Sequence, residues 1–220
     1  MEESTQRHKC DQRNSTKGGR LEMTEIPHEK VFTKLDLSGA NFSGANLTGA
    51  DFRGANLTGA DFRGADLLGA DFSNGVLSKA NFEDATLENA RLEMVVAESA
   101  NFTRANLRQA SCIMGNWTGV NFQFACLYNA NLHSSDFTTA KFDDADASMA
   151  EFDDSRLTNA TFGHTNLVMA GFTNCNLSGL DFTSAILDGT IMWDVIIDKD
   201  TNGIELEKVL FAETIKRTQD

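Results

Sequence analysis

One period runs through most of this chain. From residue 32 to residue 192, in 33 consecutive steps of five, a central residue, mostly Phe or Leu, is preceded two positions earlier by a residue that is mostly Ala. Ala40-Asn41-Phe42-Ser43-Gly44, Ala45-Asn46-Leu47-Thr48-Gly49 and Ala50-Asp51-Phe52-Arg53-Gly54 set the template, and no insertion breaks the frame. A period of five fits neither the helical 3.6 nor the strand period of 2. Each quintet must therefore be a short extended piece followed by a turn, and a turn repeated at constant spacing winds the chain into a solenoid. If the large residue and the small one two before it point inward, a quintet builds one side of a narrow tube, and the positions after the centre face water.

The Ala-Asn/Asp-Leu/Phe-x-x pattern resembles the pentapeptide-repeat family over about three quarters of the chain. That resemblance implies an all-β fold, a right-handed four-sided parallel β-helix, in which four quintets form a coil and each residue stacks on the one twenty positions later. Sorted this way, Phe42 to Phe182 form an unbroken Phe column. Leu47 to Leu187 form a Leu column broken only by Ala147. A third column begins with Phe32, Phe52 and Phe72 and a fourth with Leu37, Leu57 and Leu77. A ten-residue period gives the same alternation of Phe and Leu sides. About eight coils at the ~4.8 Å strand spacing make a rod of roughly 40 Å. Ala97, Cys112 and Trp117 depart from the template, and they read as mutually compensating volumes, because a close-packed core tolerates neither an isolated void nor an overlap. A ligand pocket beside Ala97 is the sharper alternative.

The chemistry of sites is thin. Cys10, Cys112, Cys126 and Cys175 match no zinc spacing and read as free thiols. His8, His28, His133 and His164 are dispersed, and there is no phosphate loop or nucleophile elbow. A filled tube also offers no cleft, so the expectation is a protein with no catalytic residue, no cofactor and no resident metal. Asp198-Lys199-Asp200-Thr201-Asn202-Gly203 resembles the first half of a calcium loop, but its twelfth position is Val209 rather than Glu. Asp198, Asp200 and Asn202 thus stand only as weak cation candidates. No stretch approaches the ~20 apolar residues of a membrane span, and the first thirty residues lack the apolar middle of a secretory signal, which points to a cytoplasmic protein.

The ends read differently from the repeat. Residues 1–20 are expected to form a disordered polar tail, 21–197 the β-helix with its lead-in, and 198–220 a turn and a helix. Asn202 with Glu205 resembles a helix-capping pair, and Lys216 and Arg217 suit a helix C-terminus. On that helix Ile204, Phe211 and Ile215 would plug the last coil, while Leu206, Val209 and Leu210 would be free for oligomerisation. A homodimer through this end is what gyrase-interacting relatives imply.

What remains is surface. The formal net charge is −13, from 32 acidic and 19 basic residues, which disfavours DNA, RNA and anionic membranes as partners. Residues 32–192 hold 19 acids and 9 bases, a net of −10. Asp143, Asp144, Asp146, Glu151, Asp153 and Asp154 form a dense run, and Glu83 and Asp84 follow the same Phe side three coils earlier as Asp143 and Asp144. The leading expectation is a non-catalytic scaffold that presents this acidic surface to a protein partner. The resemblance also brings an alternative: some members are proposed to imitate duplex DNA on type II topoisomerases such as gyrase and to modulate quinolone or toxin sensitivity. Here the charge amounts to about one per 4 Å, against about one per 1.7 Å in duplex DNA. Arg53, Arg63, Arg104 and Arg108 interrupt it, and the unbroken frame leaves no room for the loop such relatives extrude. A purely structural solenoid is the third expectation.

Overall fold

Each quintet carries five backbone N–H groups, and the computed structural model, which describes residues 29–205, 207–210 and 216–217, shows where each goes. In Ala60–Gly64, Ala60 N–H closes a turn onto the Leu57 carbonyl at 2.9 Å, and Asp61 N–H reaches back to Ala40 at 2.9 Å. Phe62 N–H donates forward to Asn81 at 2.7 Å and Gly64 N–H to Glu83 at 2.9 Å. The fifth, Arg63 N–H, is served by a side chain: Asp61 Oδ1 accepts it at 3.1 Å. Asn or Asp before the centre is thus an Asx cap for the one donor that neither coil can satisfy, and a short acceptor placed two residues before that donor is what it requires.

Parallel bridges twenty residues apart run from Val31↔Asp51 to Asn176↔Ile196. They exclude a coil of ten and make each coil four quintets, hence four sides. In chain order, side 1 has its centres at Phe32, Phe52 and onward, side 2 at Leu37, side 3 at Phe42 and side 4 at Leu47. The residue two after each centre, Ser184 apart, turns the corner in the left-handed region, as at Gly44 (φ 66°), Asn74 (φ 62°) and Asp84 (φ 59°). That conformation is cheapest for Gly, which holds every corner from Gly39 to Gly69.

Because Phe sides alternate with Leu sides, Phe faces Phe across the tube. Phe42 stacks on Phe62 with ring centroids 4.9 Å apart and meets Phe52 on the opposite side edge to face at 5.6 Å and 79°. The same herringbone continues through Phe62, Phe72 and Phe82. Each buried Phe or Leu contributes about 1.5–3 kcal/mol by burial, and each aromatic pair about 0.5–1.5 kcal/mol more.

The irregular coil is filled as expected, with one participant the sequence reading missed. Side 1 gives up its ring at Leu92, Cys112 and Leu132, and side 2 takes aromatics in at Trp117 and Phe137, which stack at 6.2 Å. The Trp117 indole N–H donates to the Cys112 carbonyl at 3.2 Å. Gly115 makes the space, since a Cβ there would run into the indole. Ala97 and Trp117 are fully buried, and the volume beside Ala97 is packed rather than open to a ligand.

The C-terminal helix is a correction. Among the described residues of 202–217 there is none. Asn202 bridges Asp181 and Leu210 bridges Ile191, spacings of 21 and 19, while strand β1 (Ile196–Ile197) pairs in parallel with β2 (Lys216–Arg217) at 20. The register runs one residue long, then one short, and is back at twenty by the strand pair, so the coil continues. Asn202 and Glu205 imitate a capping pair by spacing, but the Asn202 backbone is taken by inter-coil bonds to Leu180 and Phe182. The expected tail at 1–20, like Leu206, Phe211 and Ile215, lies outside the described residues.

Candidate interaction surface

With the tube filled by side chains, any chemistry must happen outside it. Among the described residues no three His, Cys, Asp or Glu side chains gather as a metal site would require. Burial pushes the Cys112 and Cys175 thiols well above their ordinary range, Cys175 up to about 12, and Cys175 donates to the Phe152 carbonyl at 3.1 Å. Cys126 is half-buried on side 4, and Cys10 lies outside the described residues. Two of the three cation candidates are engaged by the turn itself. Asp198 Oδ1 accepts the Gly179 N–H at 3.0 Å and the Thr201 hydroxyl at 2.9 Å, bonds that hold its carboxyl below the usual range, and Asn202 Nδ2 donates to the Asp200 carbonyl.

The dense acidic run is divided by the coil. Asp143, Asp144 and Asp146 sit at the corner between sides 3 and 4. Glu151, Asp153 and Asp154 lie on side 1 and at the corner between sides 1 and 2, diagonally across the rod. Three of the six are occupied with backbone. Asp146 caps Ser148 N–H in the ordinary way at 3.2 Å. Asp143 and Asp153 act across coils: Asp143 Oδ1 accepts Gly163 N–H at 2.9 Å and Asp153 Oδ1 accepts Thr173 N–H at 2.6 Å. In those two quintets the capping position holds Thr161 and Gly171, which carry no carboxylate or amide, so an acid from the coil before supplies the acceptor. Asp144 and Asp154 are exposed and lie 3.7 Å and 3.6 Å from the His164 and His133 rings; Glu151 is exposed on side 1.

Glu83 and Asp84 share the corner of Asp143 and Asp144 but do not join them in a stripe. Thr103-Arg104 and Gln123-Phe124 intervene, and Arg104 holds both acids, Asp84 through two bonds of 2.8 and 2.9 Å. Arg53 and Arg63 pair with Asp51 and Asp61, and Arg108 lies over the Tyr128 ring at 4.3 Å. Of the C-terminal trio, Val209 is buried in the core and Leu210 is exposed; Leu206 is outside the described residues.

Sequence reasoning missed an apolar corner. Between sides 1 and 2, Met94 (46% exposed) and Met114 (54%) occupy successive corner positions, beside the paired Val76 and Val96 and half-buried Ile113. Bulky apolar side chains where the template carries Gly, Asn or Asp were the available signal. One coil further on, the same corner opens into a polar trough of about 450 Å³ lined by Ser134, Ser135, Asp136, Asp154, Ser155 and Arg156, among others. Its floor follows a substitution at the small inward position: Ser135 and Ser155 replace Ala there and donate to the Cys112 and Leu132 carbonyls.

A family model for pentapeptide repeats matches in eight copies over residues 36–74, 55–93, 100–138 and 155–194, more than half of the chain. Among solved structures, the chain is similar to HetL, a pentapeptide repeat protein involved in heterocyst differentiation regulation from the cyanobacterium Nostoc sp. strain PCC 7120. The two are 25% identical, covering 84% of this chain and 86% of HetL, with a TM-score of 0.56. It is also similar to full-length QnrB1, a plasmid-mediated fluoroquinolone resistance protein, at 16% identity over 81% of this chain and 92% of QnrB1, with a TM-score of 0.58, a likeness of fold alone. Comparison with curated protein sequences gives no match.

Proposed function

The chain belongs to the pentapeptide-repeat family, and from that premise we propose that it is a non-catalytic scaffold that binds a protein partner through its acidic outer surface. The observation that carries this is the division of labour in the coil: the lumen is closed by stacked rings, while Asp144, Glu151 and Asp154 are exposed and accept no backbone N–H. The regulatory role of HetL, similar along most of this chain, supports a binding protein rather than an enzyme. The right-handed winding, about eight coils and a cytoplasmic setting belong to the same reading.

Affinity capture with the full chain tests it. A partner recovered with the wild type and lost on Asp144→Asn, Glu151→Gln and Asp154→Asn together is the expected result. Recovery of no partner, or a partner indifferent to those changes, removes the acidic surface from the account. Duplex mimicry is separated by a gyrase supercoiling assay, in which this reading expects no change at micromolar protein. The surface charge is thin for a mimic, since much of it is spent on Arg pairs and backbone caps.

A further inference from the structure

The corner between sides 1 and 2 carries two unlike features end to end. We propose that together they form a docking site for a cationic peptide segment of a partner: large apolar anchors seat on Met94, Met114, Val76 and Val96, and Lys or Arg residues following them enter the trough between Asp136 and Asp154. This rests on the scaffold reading and names the chemistry of what it binds.

The apolar half is unfavourable where it stands. Met94 and Met114 occupy left-handed backbone (φ 55° and 54°), where a long side chain is costlier than Gly or Asn, and both are about half exposed. Neither contributes to the core. The cost of exposure falls if a partner covers them, and the unbranched thioether adapts to whichever apolar group arrives. Val76 and Val96, directly bridged across coils, extend the patch onto side 2.

The polar half supplies the sign. Glu93 and Glu98 flank the Met and Val residues, and Asp136 and Asp154 line the trough. Its one described cation, Arg156, is 70% exposed at the lip and 3.7 Å from Asp136, an open pairing that a better-placed guanidinium can exchange for. Hydroxyl and amide groups around it, such as those of Ser134 and Asn174, can complete the hydrogen bonding of an ammonium or guanidinium head. From Met94 to Asp154 is three coils, about 14 Å at ~4.8 Å per coil, so anchor and basic residue would be some four residues apart if the segment is extended. The acids and the chain's net charge disfavour a nucleic acid or an anionic membrane as occupant.

Fluorescence anisotropy with the full chain and a short synthetic peptide, Leu and Met in one half and Arg in the other, tests the proposal. Binding should weaken about tenfold on Met94→Ser with Met114→Ser, and about tenfold on Asp136→Asn with Asp154→Asn. Asp136→Asn keeps the oxygen that accepts Thr138 N–H at 2.9 Å, so an unchanged urea midpoint will show that the fold survives. A peptide with Glu in place of Arg should not bind. The proposal is overturned if the wild type does not bind the cationic peptide, or if Asp144→Asn on the opposite corner weakens binding as much. It is equally overturned if the Met substitutions change only self-association in sedimentation. Peptide binding that fails while a captured partner still depends on Asp144 and Glu151 sinks the docking site alone; the converse sinks the scaffold reading.

Discussion

A single acceptor per quintet governs much of this surface. Asn41, Asp51, Asn56 and Asp61 each serve the N–H two residues on, and Asp61 does so while buried. The Asn/Asp preference was plain in the sequence, whereas the cross-coil service of Asp143 and Asp153 was not: their partners lie twenty residues away, and the only trace is a missing Asx residue at Thr161 and Gly171. Those two acids therefore read as surface when they are fasteners. Asp153→Ala should cost about 1 kcal/mol in urea denaturation and Asp153→Asn a few tenths, since the amide keeps the oxygen. Gly171→Asn restores the local cap, so in that background the Ala substitution should cost only a few tenths of a kcal/mol. An undiminished cost would show that Asp153 acts by some other contact.

At the scale of the element, the Phe and Leu columns fitted the coil of twenty that the family resemblance implied, and the bridges remove the ten-residue alternative. The compensation of Ala97, Cys112 and Trp117 was legible as volume. Gly115 was not, because a Gly at the small inward position looks like a slightly smaller Ala until the indole is seen beside it. Gly115→Ala should destabilise by about 1–3 kcal/mol, and in a Trp117→Leu background by much less, as read from denaturation midpoints. The C-terminal stretch misled for a physical reason: helix-favouring residues and a capping-pair spacing are local signals, and an exposed coil edge outbids them by offering inter-coil bonds to Asn202, Leu210 and β2. The acidic run misled similarly, since the twelve residues from Asp143 to Asp154 go round more than half a coil.

For the molecule as a whole, stability is a sum over neighbouring coils, and carboxylates fasten them within a quintet, at Asp51 and Asp181, and across coils, at Asp84 and Asp198. Hydrogen bonds from Arg53, Arg104, Thr183 and Gly179 hold Asp51, Asp84, Asp181 and Asp198 below the usual carboxylate range. A lowered folded value means stability that is present above about pH 3.9, the unfolded value, and is lost as pH falls through the folded one. The urea midpoint should therefore hold between about pH 7 and 5 and drop below about pH 4; a midpoint that rises on acidification would contradict these assignments. The opposed Phe sides also make the rod behave like a dial with two permitted settings. Removing one quintet advances everything downstream by a quarter turn and sets Phe rings on Leu columns. Removing two, such as residues 60–69, advances it by a half turn, returns Phe to Phe, and should fold with most of its cooperativity intact. An indel of ten thus leaves the interior almost unaware while it swings every downstream surface residue to the far side, so a rod of this kind can be re-aimed without being rebuilt.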